Sequence, residues 1–400
     1  MISLDQALNI LASALIPEAF SQEKLSTEDA LGRVLVETQL SKLDLPPFRK
    51  AMMDGYAILE GDESESFKVL ETVAAGSTIQ HKLEIGETLK IMTGAPLPDG
   101  VDRVIPWENV KLEGDKITIL KFSQAKNIAE KGEDLQKGEA LLPAGARLGA
   151  LEIANLIASG ITEIAVLRRL KVAIISTGDE LVERCEDIIL GKIMNSNAPL
   201  LRLLCKSWGL DVVANLTVKD DCESLVRELQ KIEAADFILL SGGVSAGDFD
   251  FVAKALRLVG FTIHFDRVAI KPGKPMTFAS KEQQYVFALP GNPVAVYLTF
   301  HLFVLFAYEK LFHLKPLLTS VAMPLAQDWR RKNSERLEFV PVRLQEDGTL
   351  LPIETHGSAD LMALLKCDGF FMVDVGVEEI ASGTNVETRF IASFTVGIAP

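Results

Sequence analysis

Lys171-Val172-Ala173-Ile174-Ile175-Ser176, continuing into Thr177-Gly178-Asp179-Glu180-Leu181, decides the fold of this chain. An apolar run that stops at a glycine-containing turn reads as a strand buried on both faces. Such strands belong to parallel sheets covered by helices. The following sequence keeps that rhythm. Residues 197–208 place Leu200, Leu201, Leu204 and Trp208 on one helical face, and 212–218 reads as a strand. Residues 223–234 form a helix through Leu225, Val226, Leu229 and Ile232. Strand 236–240, helix 251–258 and strands near 262–270 and 285–289 complete the series. Strands alternating with helices make βαβ units, so a doubly wound, mostly parallel sheet is expected here.

The pattern changes on both sides of this core. Residues 4–20 read as an amphipathic helix, with Ala7, Leu8, Leu11 and Leu15 at helical spacing. From 57 to about 142, short β-like runs at 67–73, 88–92, 103–106 and 116–120 are separated by Gly and Pro turns, which predicts a small β-rich domain. Beyond about 315, Pro316 and Pro324 mark a boundary, and 336–344 alternates as a strand of a β-rich tail domain. A chain of 400 residues, 48% hydrophobic and 24% charged, fits two to four globular domains.

The formal charge is −14, which argues against a nucleic-acid or anionic-membrane surface. An anionic ligand therefore needs local cations. Cys185, Cys205, Cys222 and Cys367 form no C-x-x-C pair, and His81, His264, His301, His313 and His356 show no metal-ligand spacing. A disulfide framework and a zinc or iron centre are not expected, and a reducing cytoplasm fits. The N-terminus has an early acid and no basic segment, unlike a signal peptide. The longest apolar run, 293–308, falls short of the ~20 residues of a bilayer span and is expected to be a buried helix.

Ligands of doubly wound sheets bind beyond the carboxyl ends of the strands. Four loops occupy that place. In 176–181, Gly178 permits a tight turn, backbone N–H groups can cradle an anion, and Glu180 can hold a metal or a substrate hydroxyl. In 241–250, Ser241, Gly242, Gly243 and Ser245 give an open backbone able to wrap a phosphate or a pterin; Asp248 and Asp250 can also cap the next helix. In 267–275, Arg267, Lys271 and Lys274 fall within eight residues free of acids, on a proline-stiffened turn. An anion site is the natural inference, with a solvated basic turn as the plain alternative. In 289–294, Asn292 and Pro293 are helix-start residues, while Pro290 and Gly291 suit close ligand approach. Asp220 or Asp221, at the end of another strand, is a candidate Mg²⁺ ligand or an N-cap.

Several strings add a resemblance along nearly the whole chain. They are M-D-G-Y-A at 53–57, I-M-T-G-A-P-L-P at 91–98, K-G-E-D at 131–134, S-T-G-D-E-L at 176–181 and N-S-N at 195–197. S-G-G-V-S-x-G-D at 241–248, K-P-G-K-P at 271–275 and P-G-N-P-V at 290–294 follow in order. The chain resembles the molybdopterin molybdenumtransferase family, which includes the gephyrin E domain.

The resemblance implies a multidomain α/β and β architecture. A discontinuous N-terminal helical domain would take 1–25 plus 135–168, and a β-rich domain 26–134. An α/β domain similar to molybdopterin adenylyltransferase would take 169–314, and a C-terminal β-barrel-like domain 315–400. The implied reaction inserts molybdate into adenylated molybdopterin with release of AMP, dependent on Mg²⁺. Implied site residues are Asp54, Thr93 and Asp134 from the second domain, with Glu180, Asp220 and Asp250 as acids for Mg²⁺, pterin or nucleotide. Arg267, Lys271 and Lys274 would be the anion clamp, and Pro290 and Pro293 would shape the pocket wall. A homodimer is implied, with molybdopterin adenylyltransferase and molybdoenzyme maturation proteins as partners. Two departures stand out: Arg49-Lys50-Ala51-Met52 precedes Asp54 where small polar residues are usual, and Arg267 stands where Lys is frequent. The alternatives are an adenylyltransferase or nucleotide pyrophosphatase on the same α/β domain, or a non-enzymatic binding scaffold.

Overall fold

The decisive strand forms at Lys171–Thr177, at the heart of a six-stranded sheet. The computed structural model describes residues 1–17, 21–122, 124–243, 251–314, 316 and 320–390. Contacts divide the chain into two units, Glu23–Val166 and Met1–Gln22 with Leu167–Pro400.

In the larger unit the sheet order is Asp211–Val218, Lys171–Thr177, Phe237–Ser241, Gln284–Leu289, Pro275–Lys281, Thr262–Arg267. The first four strands are mutually parallel. The last two run antiparallel. The strand Pro275–Lys281 starts where the basic turn ends and is not among the strands the sequence predicts. Its Met276, Thr277, Phe278 and Ala279 are buried, and it forms a hairpin with Gln284–Leu289.

Both faces of the sheet are covered, which explains the near-continuous apolar strands. On one face Ala173, Ile175, Ile238 and Leu240 meet Leu225 and Leu229 of helix Cys222–Lys231 and Val252, Ala255 and Leu256 of helix Phe251–Leu258. The sheet also carries an aromatic core of Phe237, Phe278, Tyr285 and Phe287 in edge and tilted contacts. Phe265 extends it to Phe303 of a long helix. That helix runs through Pro293–Thr299, a π-helical turn Phe300–Val304 and Leu305–Leu311, and it is 78% buried across its apolar window.

The N-terminal helix, Leu4–Ala14, is shorter than the 4–20 expected, and it belongs to this unit rather than with 135–168. It stops because Ile16 precedes Pro17, where helical backbone is disfavoured, and Leu15 is already extended. Its attachment is specific: Ile2 bridges Val268, and the Ile16 N–H donates to the Tyr285 hydroxyl at 2.9 Å.

The C-terminal sheet runs Ile270–Lys271, Leu337–Leu344, Gly369–Val373, Asn385–Phe390, Ser320–Pro324, with Leu350–Pro352 beside Leu337–Leu344. A Leu325–Leu350 bridge links the end of Ser320–Pro324 to the branch strand Leu350–Pro352, which closes a barrel-like ring through Leu337–Leu344, Gly369–Val373 and Asn385–Phe390. Its edge strand, Ile270–Lys271, comes from the chain segment of the α/β domain.

The smaller unit is β-rich, as expected. A six-stranded sheet orders Val101–Pro106, Gly55–Leu59, Glu87–Ile91, Ser66–Val73, Lys116–Ile119, Val110–Glu113 around Ala57, Leu89, Ile91 and Val104. A second core gathers Ala30, Leu35, Leu148, Leu156 and Val166 around helix Ala150–Ala158.

Candidate active site

Within the larger unit, a cleft of about 1270 Å³ lies between the carboxyl ends of the α/β strands and the C-terminal sheet. Its floor is the point where the strand order reverses. Lys171–Thr177 has Asp211–Val218 on one side and Phe237–Ser241 on the other. Crevices at such reversals are the usual ligand sites of doubly wound sheets.

The floor is made by glycines for a steric reason. A Cβ on Gly242 would sit 2.4 Å from the Thr177 carbonyl oxygen and 2.9 Å from its Oγ1. Gly242 and Gly243 also have φ of 95° and 65°, which side-chain-bearing residues rarely adopt. Thr177 lines the cleft, and its buried hydroxyl has no hydrogen-bond partner among the described residues. A buried polar atom without a partner is costly, so this hydroxyl is suited to meet a ligand.

Five carboxylates, Glu180, Asp220, Asp328, Glu338 and Glu354, and six cations share the same walls. Glu180 and Asp220 line the cleft, and Asp220 accepts from the Asp179 N–H at 3.4 Å. Lys271 and Lys274 share the lining with Arg330, Lys332 and Arg336 of the C-terminal domain, of which Arg330 pairs with Glu379 at 2.6 Å. The Lys271 ammonium lies 2.8 Å from the Glu338 carboxylate, and Arg331 reaches the other oxygen of Glu338 at 3.2 Å. Arg336 donates to the Ile270 carbonyl at 3.2 Å, which ties it to the strand that carries Lys271. Asn292 starts its helix without capping it by side chain. Its Nδ2 donates instead to the Ser358 hydroxyl at 2.6 Å, joining the helix start to the tail domain.

The structure thus brings together Glu180, Asp220, Gly242, Gly243, Lys271, Lys274 and Pro290 from the sequence reading. Ser241, Arg267 and Pro293 are not among the lining residues. Ser241 is buried and accepts from Asn197 at 2.9 Å. Arg267 lies on the edge strand, where its carbonyl accepts from Ile2. Pro293 is the first helical residue, and Val294 and Ala295 behind it reach the cleft. Asp221 is the N-cap, accepting from Ser224 at 2.8 Å, which leaves Asp220 as the acid at the cleft. Ser245, Asp248 and Asp250 lie outside the described residues.

In the smaller unit, Asp54 accepts from the Thr93 N–H at 2.7 Å and from its hydroxyl at 2.8 Å. The Thr93 backbone bond, followed by the hydroxyl, holds the Asp54 carboxyl below its ordinary pKa. Asp134 is exposed in the same unit, its N–H donating to the Leu45 carbonyl.

The tail-domain residues were missed. The sequence Arg330-Arg331-Lys332-Asn333-Ser334-Glu335-Arg336 carries a density of cations like that of 267–274, and the same charge argument would have found it. Glu338 could not be found that way, because it looks like the outward position of an alternating strand.

Comparison with known proteins agrees across the length. Residues 2–160 match the family profile described as "MoeA N-terminal region (domain I and II)". Residues 173–310 match "Probable molybdopterin binding domain", and 322–390 match "MoeA C-terminal region (domain IV)". The chain is 31% identical over 375 residues to the molybdopterin molybdenumtransferase of Staphylococcus epidermidis, covering 91% of this chain and 90% of the relative. It is 36% identical over 290 residues to that of Staphylococcus aureus, covering 70% and 69%. The crystal structure of the molybdopterin biosynthesis MoeA protein of Pyrococcus horikoshii superposes with a TM-score of 0.82 at 30% identity, covering 98% of this chain and 100% of that one.

Proposed function

The chain belongs to the molybdopterin molybdenumtransferase family, enzymes of molybdenum cofactor biosynthesis, and from that premise we propose how its cleft works. The substrates are molybdate and adenylated molybdopterin, and the products are the molybdenum-loaded pterin and AMP. One observation carries this reading: in a protein of charge −14, Lys271, Lys274, Arg330, Arg331, Lys332 and Arg336 line one crevice, where they outnumber the carboxylates of Glu180, Asp220, Asp328, Glu338 and Glu354. Two oxyanions cannot approach each other without such neutralisation, and cations held in a cleft are worth more than the same cations in water.

Lys271 and Lys274 bind the oxyanions, Gly242 and Gly243 let a phosphate or pterin approach the backbone, and the Thr177 hydroxyl takes a polar atom of the pterin. Glu180 orients the water that adds to the anhydride phosphorus, whose bridging bond breaks to release AMP. The donor set of Glu180 and Asp220 suits Mg²⁺, which typically takes one or two carboxylates together with substrate phosphates; when bound it supplies charge neutralisation at the anhydride. The enzyme acts in the cytoplasm as a homodimer and receives its substrate from a molybdopterin adenylyltransferase.

The test is AMP release by purified protein from adenylated molybdopterin, with and without molybdate and Mg²⁺. Molybdate-dependent release is expected. Pyrophosphate release from ATP or molybdate-independent cleavage of dinucleotides would instead favour an adenylyltransferase or pyrophosphatase, and no turnover a binding scaffold.

A further inference from the structure

We propose that Glu338 is the resident counter-anion of the cleft, a positioning residue that holds the Lys271 ammonium until the substrate oxyanion displaces it. The inference rests on the cleft being the molybdate site.

The local register sets the pair. Lys271 and Glu338 are direct partners in the parallel pairing of Ile270–Lys271 with Leu337–Leu344. Glu338 is only 9% exposed, and a carboxylate so buried needs a cation. Arg331 meets that need. Its side chain is 4% exposed, and it donates to the carbonyls of Val377 (2.6 Å), Arg336 (3.0 Å) and Asp374 as well as to Glu338. Its guanidinium also rests beside the Trp329 ring at 5.8 Å. With its donors so engaged, Arg331 is a fixture and not a ligand group.

Lys271 is therefore a second cation on a carboxylate that already has one. Its side chain is 47% exposed against 12% for Glu338, so the ammonium sits on the open side of the pair. It can exchange Glu338 for an incoming anion without leaving the carboxylate unneutralised. A fixed carboxylate keeps a flexible lysine aimed at the cleft, and it also weakens every anion that competes for that lysine. A dianion overcomes this competition better than a monoanion does.

The experiment is calorimetric titration of the full-length protein with sodium molybdate, for wild type, Glu338→Gln and Glu338→Asp, with thermal melts in parallel. Removing the competing charge should tighten molybdate binding roughly tenfold in Glu338→Gln. Glu338→Asp, which keeps the charge, should stay near wild type. In a Lys271→Met background, Glu338→Gln should give much less gain. A merely structural Glu338 would lower the melting temperature and leave the affinity unchanged, which overturns the proposal. If Glu338→Gln does not fold, NMR of wild type labelled with ε-¹³C lysine decides. The Lys271 signal, assigned through Lys271→Arg, must move on saturation with molybdate, and an unmoved signal overturns the proposal. Absence of molybdate binding by wild type would strike the reading of the cleft and this inference with it. Binding by wild type with Glu338→Gln unchanged strikes Glu338 alone.

Discussion

The surroundings of Lys271 separate what is legible in the sequence from what is hidden there. Three cations in an acid-free stretch of an acidic chain are visible without a structure. The partner that orients Lys271 lies on another domain, and no local pattern announces Glu338 or the buried Arg331 behind it. Replacing Lys271 by Ala should reduce kcat/KM for molybdate-dependent AMP release by roughly thirtyfold, the equivalent of about 2 kcal/mol for a cation on a partly desolvated anion. A variant with unchanged AMP release would remove Lys271 from the mechanism. Asp54 offers a second test at this scale. Thr93 lowers its pKa in the folded state, so the stabilisation is complete above the ordinary carboxylate range and is lost as pH falls through the lowered value. Thr93→Val removes the hydroxyl donor and keeps the N–H. The Asp54 carboxyl should then titrate at higher pH in a ¹³C NMR titration, and an unshifted curve would show that the hydroxyl contributes nothing.

Elements were easier to find than to bound or assign. The N-terminal helix was legible from its apolar stripe, but its end was set by the Ile16-Pro17 step and its place by the Ile2–Val268 bridge at one end and the bond to Tyr285 at the other. The hairpin strand Pro275–Lys281 was hidden because a cation-rich turn runs directly into it. At the start of helix Cys222–Lys231, two adjacent acids were equivalent in sequence and are not in space. Asp221→Ala should lower the melting temperature slightly, through loss of the cap, and leave AMP release unchanged. Asp220→Ala should do the reverse. The π-helical turn Phe300–Val304 carries a further prediction. Burial pushes the His301 imidazole down to about 4 despite its bond to the Tyr297 carbonyl at 2.7 Å. The sign follows from a folded pKa below the unfolded one: the stability is full above pH 6.5 and is lost as pH falls toward 4. The loss over that window should reach about 3 kcal/mol. His301→Leu should flatten the denaturant-unfolding profile between those limits, and a wild-type slope in the variant would show that His301 is not its source.

For the molecule as a whole, the separation of charge matters more than its total. The alternation of strands and helices was enough to locate the doubly wound sheet and the loops above it. It could not reveal that the Ile270–Lys271 strand belongs to the tail-domain sheet, which makes that domain a wall of the cleft. Around the cleft six cations stand against five carboxylates in an otherwise acidic protein, so this small local excess should attract an oxyanion only over the distance that salt leaves unscreened, roughly 10 Å at 0.1 M and a few ångströms near 1 M. Raising the salt concentration from about 0.05 M to about 0.5 M should therefore raise the KM for molybdate several-fold with little change in kcat. The melting temperature should hold or rise, because screening also relieves repulsion among the excess carboxylates. Potassium glutamate should be used beside potassium chloride, so that chloride occupying the cleft is distinguished from screening. A KM indifferent to both salts would mean that the cations of the cleft are already neutralised within the protein. In that case Glu338 and its neighbours, and not the substrates, would be their lasting partners.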